Sequence, residues 1–213
     1  LDLLARGQWA SARGRLATAV EQKPRDAYAW KALGVAAGRL EDTALSGDAF
    51  GRACTLDPQL ADVCYYHARA LYVLNRFDAS LAALDRVLKL DPRRGRTWTA
   101  IGQAREALGQ RAAAEKAFRE ALAQADAGPE TRQHFGVFLF RAGRLDEAAK
   151  MLEEARRLAP RSAAIAAGLG RVYYQQARLP EAVAELERAL SLDPAQDTAR
   201  LLLERARRRA AQP

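Results

Sequence analysis

The chain has little cysteine and histidine and no long apolar run, and this scarcity excludes several kinds of protein. Two cysteines among 213 residues are too few for a disulfide-rich scaffold. Two histidines, His67 and His134, supply little material for a zinc site or a serine–histidine–aspartate triad. No apolar run approaches the length of about 18 residues that a membrane-spanning helix needs. The sequence therefore favours neither a disulfide framework, nor a metal or hydrolase site, nor a membrane span.

Alanine and arginine, by contrast, are abundant. The chain holds 48 alanines, and arginine supplies 29 of its 34 basic residues. Against 26 acidic residues this leaves a formal net charge of +8. The hydrophobic share of 49% is too high for a disordered chain. Alanine favours helix over an all-β fold, and the excess of arginine and alanine over lysine indicates a bacterial source with GC-rich DNA.

A period of 34 residues runs through the chain. Pro24, Pro58 and Pro92 keep this interval, and Pro160 and Pro194 continue it after one omitted member. A fixed interval is the signature of a repeat architecture rather than of one or two ordinary domains. The interval predicts an array over 1–194 of six repeats, with the bounds 1–26, 27–60, 61–94, 95–128, 129–162 and 163–196. Residues 195–213 follow as a capping helix with a basic tail.

Each repeat has the pattern of two helices joined by a turn. Apolar residues recur three and four positions apart, which is typical of an amphipathic helix. A small residue stands at one fixed position and a large one sixteen residues later, as in the pairs Gly34 and Phe50, and Gly136 and Leu152. This pairing predicts two helices whose backbones approach closely at the small side chain. Gly109 and Gly143 fall in the turn, where a left-handed backbone is useful.

These residues resemble the tetratricopeptide repeat (TPR) signature. Trp30, Leu33 and Gly34, followed by Phe50, Ala53 and Pro58, match it well, as do Trp98, Ile101, Gly102, Gly109, Ala114, Phe118 and Ala121. The resemblance implies an all-α fold, a right-handed superhelical solenoid of antiparallel helix pairs with a C-terminal capping helix. Some positions depart from the signature: Cys64 stands where the first-helix tryptophan is expected, and Glu41 and Asn75 replace the turn glycine.

No combination of residues predicts catalysis, a cofactor or a metal. His67 falls on an expected core position, and no serine or cysteine nucleophile is placed with a histidine base. The chain is therefore expected not to be an enzyme. Cys54 and Cys64 lie on adjacent predicted helices without CxxC spacing, and we expect buried free thiols rather than a disulfide or a metal ligand.

The family resemblance implies a peptide-binding groove lined by the first helix of each repeat. Aromatic and arginine side chains dominate interface energetics, and several such residues fall on the expected inner positions, which also include Val35, Arg39 and Val73. The residues predicted to bind a peptide are Lys31, Tyr65, Arg69, Tyr72, Arg96, Gln103, Phe140, Arg141, Arg171 and Tyr174. The expected function is a non-enzymatic scaffold for protein–protein interaction that docks an acidic, partly apolar segment.

Two other functions stay open at the level of sequence. The chain begins at Leu1 rather than at methionine, so it is expected to be a fragment or a processed chain. One alternative is therefore the regulatory arm of a larger enzyme or assembly whose other domain lies outside this sequence. The sequence does not decide between the cytoplasm and the periplasm. The charge of +8 also fits a nucleic-acid-binding solenoid. The carboxylate clamp of chaperone-binding TPR domains is not supported, because Val35 stands where that clamp needs asparagine. The sequence assigns no oligomeric state.

Overall fold

The computed structural model describes residues 2–211 as α-helices joined by short loops. The described residues form thirteen α-helices and no strand, which confirms the all-α repeat fold. The helices are α1 (Asp2–Ala5), α2 (Trp9–Gln22), α3 (Ala27–Arg39), α4 (Thr43–Leu56), α5 (Ala61–Val73), α6 (Phe77–Leu90), α7 (Gly95–Ala107), α8 (Arg111–Ala123), α9 (Pro129–Arg141), α10 (Leu145–Leu158), α11 (Ala163–Gln175), α12 (Leu179–Leu192) and α13 (Asp197–Ala210).

Local sequence signals set the ends of several helices. The carboxylate of Asp26 accepts hydrogen bonds from the backbone N–H groups of Tyr28 and Ala29 and so caps α3. Pro129 occupies the first turn of α9, where its missing N–H leaves no helical bond unmade. The turn after α7 contains Gly109 with a φ of +74°, and the turn after α9 contains Gly143 with a φ of +77°. The left-handed turn glycines expected from the sequence are therefore present.

The helices form two compact units that divide between Ala117 and Phe118, within α8. In the N-terminal unit, α3, α4, α5, α6 and α7 pack in chain order, and α5 also contacts α7. In the C-terminal unit, α9 to α13 pack in the same way, and α11 contacts both α9 and α13. Within each unit the first helices of successive repeats therefore lie side by side, and we call the side that they form the inner face.

Close contacts between small and large residues join the two helices of a repeat. A Cβ added at Gly34 would lie 2.7 Å from Cδ1 of Phe50, and one added at Gly136 would lie 2.8 Å from Cγ of Leu152. Real Cβ atoms do not come this close to a neighbour, so the large side chain occupies the space that glycine leaves. The pairing of small and large residues expected from the sequence is confirmed at both positions.

A hydrogen bond to a loop carbonyl, which we call the loop-carbonyl bond, holds the start of several first helices. Indole Nε1 of Trp30 donates to the carbonyl of Pro24 at 2.9 Å, and Trp98 donates to Pro92 at 3.0 Å. In later repeats arginine takes this role, as in Arg132, which donates to the carbonyl of Ala127 at 2.7 Å. Further loop-carbonyl bonds run from Arg200 to Pro194 and, where Ala166 has no donor, from Arg188 of α12 to Pro160.

The two cysteines form a disulfide, so the expectation of free thiols is wrong. Cys54 near the end of α4 and Cys64 in the first turn of α5 are bonded to each other, with their Cα atoms 5.0 Å apart. The sequence separation of ten residues spans the end of one helix, a loop and the start of the next, which return antiparallel. The two cysteines meet because α4 and α5 run antiparallel, and a disulfide needs only that the Cα atoms lie close in space. The absence of CxxC spacing therefore did not exclude the bond.

The last helix has one buried and one exposed face, as expected for a cap. Ala199, Leu203 and Ala206 are buried against α11 and α12, whereas Leu201 is 57% exposed. An array needs such an end helix to cover the apolar side of its last repeat.

Candidate functional site

The inner face of the N-terminal unit contains a recess between α3 and α5. Its cavity volume is about 520 Å³, which lies within the range of about 300–1,000 Å³ common for ligand pockets. The recess is lined by Gly34, Val35, Gly38 and Arg39 of α3, by Thr43, Ser46 and Phe50 of α4, and by Tyr65, Tyr66, Arg69, Ala70 and Val73 of α5.

Packing of α3 on α4 fixes the floor of the recess. The ring of Phe50 fits against Gly34, and Ser46 Oγ donates a hydrogen bond to the carbonyl of Gly34 at 2.9 Å. Both Phe50 and Ser46 are buried. Because the floor is fixed by the contacts within one repeat, the recess needs no rearrangement of these side chains to exist.

The rings of Tyr65 and Tyr66, together with the ring of Phe50 that also forms the floor, make up one wall of the recess, which we call the aromatic wall. The ring centroids of Phe50 and Tyr66 lie 5.5 Å apart, and those of Tyr65 and Tyr66 lie 5.7 Å apart with the rings edge to face. Tyr65 is only 7% exposed, whereas Tyr66 is 46% exposed and Val73, two turns further along α5, is 57% exposed. Tyr66 and Val73 thus present apolar surface, while Tyr65 supports them from below.

The charged groups that line the recess are both guanidinium groups. Arg39 and Arg69 contribute to the lining, and no carboxylate of residues 2–211 does. Arg69 Nη1 is 3.4 Å from the hydroxyl of Tyr65, and the guanidinium of Arg39 lies 5.4 Å from the ring centroid of Trp9. Among the described residues neither arginine forms an ion pair with a carboxylate. Both guanidinium groups are therefore available for an acidic group that enters from outside.

Arg96, another predicted peptide-binding residue, already has a partner within the chain. Its guanidinium forms an ion pair with Asp62 and lies 4.7 Å from the ring centroid of Tyr65. Asp62 also accepts a hydrogen bond from Arg94 at 3.1 Å. Arg96 therefore supports Tyr65 from the neighbouring repeat, beside the recess rather than within its lining.

The structure brings Tyr65, Arg69 and Arg96 together and places the other predicted residues of this unit elsewhere. Lys31 and Gln103 do not line the recess. Tyr72 packs edge to face on Phe77 of the following helix, with ring centroids 5.4 Å apart. It thus belongs to the contact between two helices of one repeat.

In the C-terminal unit the predicted residues pair with arginines on the inner face. The guanidinium of Arg171 on α11 lies 5.2 Å from the ring centroid of Phe140 on α9. Arg209 on α13 lies 5.5 Å from the ring centroid of Tyr174 on α11. Both distances fall within the range of cation–π interactions. Arg141 is exposed at the end of α9.

Tyr66 is an exposed aromatic residue of the recess that the sequence prediction missed, because the adjacent Tyr65 was chosen. Consecutive residues of a helix point about 100° apart, so only one of two neighbouring tyrosines faces outward. The signal was present in the spacing: Tyr66, Arg69 and Val73 follow one another at three- and four-residue steps and form one stripe.

The ring of His67 contacts a backbone carbonyl of the preceding helix. Nδ1 of His67 lies 2.9 Å from the carbonyl oxygen of Gly47, and a carbonyl only accepts, so Nδ1–H is the donor. Among residues 2–211 no three metal-ligating side chains form a group that could hold a metal ion. Over the same residues, no helix is both long and apolar enough to cross a membrane.

Comparison with known families identifies the repeat. One tetratricopeptide repeat model matches residues 1–61 and 65–129, and a second matches residues 139–206. The chain belongs to the tetratricopeptide repeat family. Members of this family are scaffolds for protein interaction, and the TPR array described above is such a scaffold. A comparison with curated proteins found no match.

Solved structures share the fold. A chain of the APC/C hetero-tetramer Cut9–Hcn1 is 18% identical with a TM-score of 0.83, over 97% of this chain and 41% of that one. This TPR chain thus spans about two fifths of the length of that relative. The thermophilic TPR protein TTC0263 of Thermus thermophilus is 22% identical with a TM-score of 0.73, over 84% and 98%. YrrB, a TPR protein with an unusual peptide-binding site, is 19% identical with a TM-score of 0.58, over 91% and 97%.

Proposed function

We propose that this TPR chain is a non-enzymatic scaffold that docks an acidic, partly apolar segment of a protein partner in the recess between α3 and α5. The observation that carries the proposal is the composition of the lining: Arg39 and Arg69 contribute two guanidinium groups, and within the described part of the chain no carboxylate lines the recess. A carboxylate of the partner gains charge-assisted hydrogen bonds from these groups.

The apolar part of the partner would contact the aromatic wall. Tyr66 and Val73 are exposed beside the two arginines, and Phe50 closes the floor behind them. Tyrosine and arginine are enriched among the residues that dominate binding energy. The solved structure of YrrB, described as having an unusual peptide-binding site, offers a precedent for peptide binding by a TPR protein of this fold.

The aromatic–arginine pairs of the C-terminal unit would extend the same chemistry. Arg171 beside Phe140 and Arg209 beside Tyr174 present cations that are held over aromatic rings. We assign these pairs a secondary role, because they do not belong to the lining of the recess between α3 and α5.

A pair of synthetic peptides tests the proposal. The first is fluorescein-labelled and alternates glutamate with leucine and phenylalanine, and the second carries lysine at every glutamate position. Fluorescence anisotropy should show binding of the acidic peptide only. Replacing Arg39→Glu and Arg69→Glu together should weaken that binding by about a hundredfold or more, since two charge-assisted hydrogen bonds of about 1.5–3 kcal/mol each are lost.

The matched control makes the same charge change outside the recess. Arg86→Glu with Lys89→Glu alters two exposed cations of α6 and should leave the affinity for the acidic peptide within about twofold. Thermal unfolding of both double variants checks that the fold persists. Equal losses in the two double variants would show that net charge rather than the recess attracts the peptide, and would contradict the proposal.

A further inference from the structure

The disulfide joins two consecutive repeats at the edge of the recess. Cys54 lies one helical turn after Phe50 on α4, and Cys64 lies two residues before Tyr66 on α5. Phe50 and Tyr66 are the ring pair that closes the aromatic wall. The bond between the cysteines therefore holds together the two helices that carry this wall.

Both cysteines replace residues that are larger in the two neighbouring repeats. The equivalents of Cys64 one repeat earlier and one repeat later are Trp30 and Trp98, which make loop-carbonyl bonds. The equivalents of Cys54 in other repeats are Val20, Leu88, Leu122, Arg156 and Leu190. Two departures from the repeat pattern thus meet at one contact, where the small sulfur atoms fill less volume than tryptophan and leucine would.

We propose that the Cys54–Cys64 disulfide is a redox-controlled staple that sets the geometry of the recess. The staple replaces the loop-carbonyl bond that Trp30 and Trp98 make in their repeats. When it is closed, α4 and α5 are held at the separation that keeps Phe50 beside Tyr66. When it is open, the two sulfur atoms separate to van der Waals distance, α4 and α5 are no longer held at this separation, and the wall loses its support. The part of this proposal that concerns docking rests on the proposed function.

Opening requires an external dithiol. Cys64 is only 2% exposed, whereas Cys54 is half-buried, so the incoming thiolate attacks Sγ of Cys54. The S–S bond breaks and Cys64 leaves as a thiolate. The second thiol of the reductant then attacks the mixed disulfide, releases Cys54 and closes the reductant into its own disulfide. Two electrons pass to the chain, and the released thiolates take up protons from water.

Thermal unfolding with and without dithiothreitol tests the staple on the full chain. Reduction should lower Tm by about 5–10 °C, because the cross-link no longer restricts the unfolded chain. The same samples should bind the acidic fluorescein-labelled peptide about threefold to tenfold more weakly after reduction. Titration of free thiols establishes how many cysteines have been reduced in each sample.

Two variants separate the staple from a general effect of the reductant. Cys54→Leu with Cys64→Trp restores the residues of neighbouring repeats, including a donor for the loop carbonyl of Pro58, and should make both Tm and affinity insensitive to dithiothreitol. Cys54→Ser with Cys64→Ser imitates the open state and should reproduce the reduced protein without any reductant.

The outcomes are distinct. Free thiols in protein prepared under oxidising conditions, or full reduction without a fall in Tm, would overturn the staple. A fall in Tm with unchanged peptide affinity would overturn its control of the recess. If the oxidised protein does not bind the acidic peptide at all, the proposed function fails, while the comparison of Tm values still decides whether the staple exists.

Discussion

At the scale of the residue, the surroundings of a side chain decide its chemistry, as Tyr173 shows. Its side chain is only 4% exposed, its hydroxyl donates to Glu153 at 2.7 Å, and the guanidinium of Arg178 lies 4.3 Å from its ring centroid. Burial, followed by the hydrogen bond to the Glu153 carboxylate and its charge, raises the pKa of Tyr173 from 10.0 to about 12. The neutral phenol is therefore favoured in the folded chain.

This shift predicts a pH dependence with a definite sign. Because the folded pKa lies above the unfolded one, the contribution of Tyr173 to stability is complete below pH 10 and is lost as pH rises through about 12. Glu153→Gln should lower the pKa of Tyr173 while burial still keeps it above 10.0. The measurement is the phenolate absorbance titration of each protein minus that of the same protein with Tyr173→Phe. An unchanged titration in Glu153→Gln would contradict the assigned cause.

The sequence predicted only part of the candidate site. Tyr65 and Arg69, two of the residues predicted to bind a peptide, both line the recess, because the repeat register fixes which turn of α5 faces it. The sequence pattern did not select Tyr66 over Tyr65, since that choice depends on the rotation of α5 about its own axis. It also did not pair Cys54 with Cys64, since that contact depends on how closely two helices return on each other.

At the scale of the element, the turn between the helices of a repeat imposes the same backbone on different residues. Glu41, Asn75 and Ala177 have φ values of 60°, 57° and 58° at the positions that hold Gly109 and Gly143 in two other repeats. A side chain in this left-handed region crowds its own backbone, which glycine avoids. The sequence identified Glu41 and Asn75 as replacements of the turn glycine, and the structure shows that the turn persists despite them.

The turn predicts opposite effects for two reciprocal substitutions in the C-terminal unit. Ala177→Gly should raise the free energy of unfolding by about 0.5–1 kcal/mol, because the left-handed strain is removed. Gly143→Ala should lower it by about 1 kcal/mol for the converse reason. Urea denaturation followed by circular dichroism measures both. Changes of the same sign in the two variants would show that backbone strain does not control the stability of these turns.

The first helices of five repeats begin at the residues where the 34-residue interval places the start of a repeat. A strict interval of 34 residues specifies where each pair of helices begins, and α3, α5, α7, α9 and α11 start at the first residues of the predicted repeats. Side-chain caps could not have supplied these bounds, because α5, α7 and α9 have none. Tertiary packing of the repeated apolar stripe determines these helix starts instead.

At the scale of the whole molecule, the net charge of +8 does not mean that every arginine is available to a ligand, because some arginines form ion pairs within the chain. Three arginines of the last helix form ion pairs: Arg200 with Asp197 at 2.6 Å, Arg207 with Glu187 at 2.7 Å and Arg208 with Glu204 at 3.8 Å. Such paired arginines attract a phosphate backbone less than free ones do. The recess, by contrast, holds two arginines without an ion pair among the described residues.

This distribution predicts a preference for the acidic peptide over nucleic acid. Single-stranded RNA should not be retained in filter binding at physiological salt, because non-specific binding to phosphates weakens steeply as salt rises. The acidic peptide should keep most of its affinity over the same salt range, since apolar contacts contribute to it. Retention of RNA with a steep linear dependence on the logarithm of salt concentration would instead support the nucleic-acid-binding alternative.

The loop-carbonyl bond determines where the chain should be cut when one repeat is transferred, as a cassette, into another TPR chain. Trp30 and Trp98 bond to the carbonyls of Pro24 and Pro92, six residues earlier, so a cassette cut before the proline carries donor and acceptor together. A cassette cut at the start of the helix would separate them. The joint between α4 and α5 differs, because its link runs from Cys54 to Cys64 across either cut. Grafts made there must move two consecutive repeats as one piece.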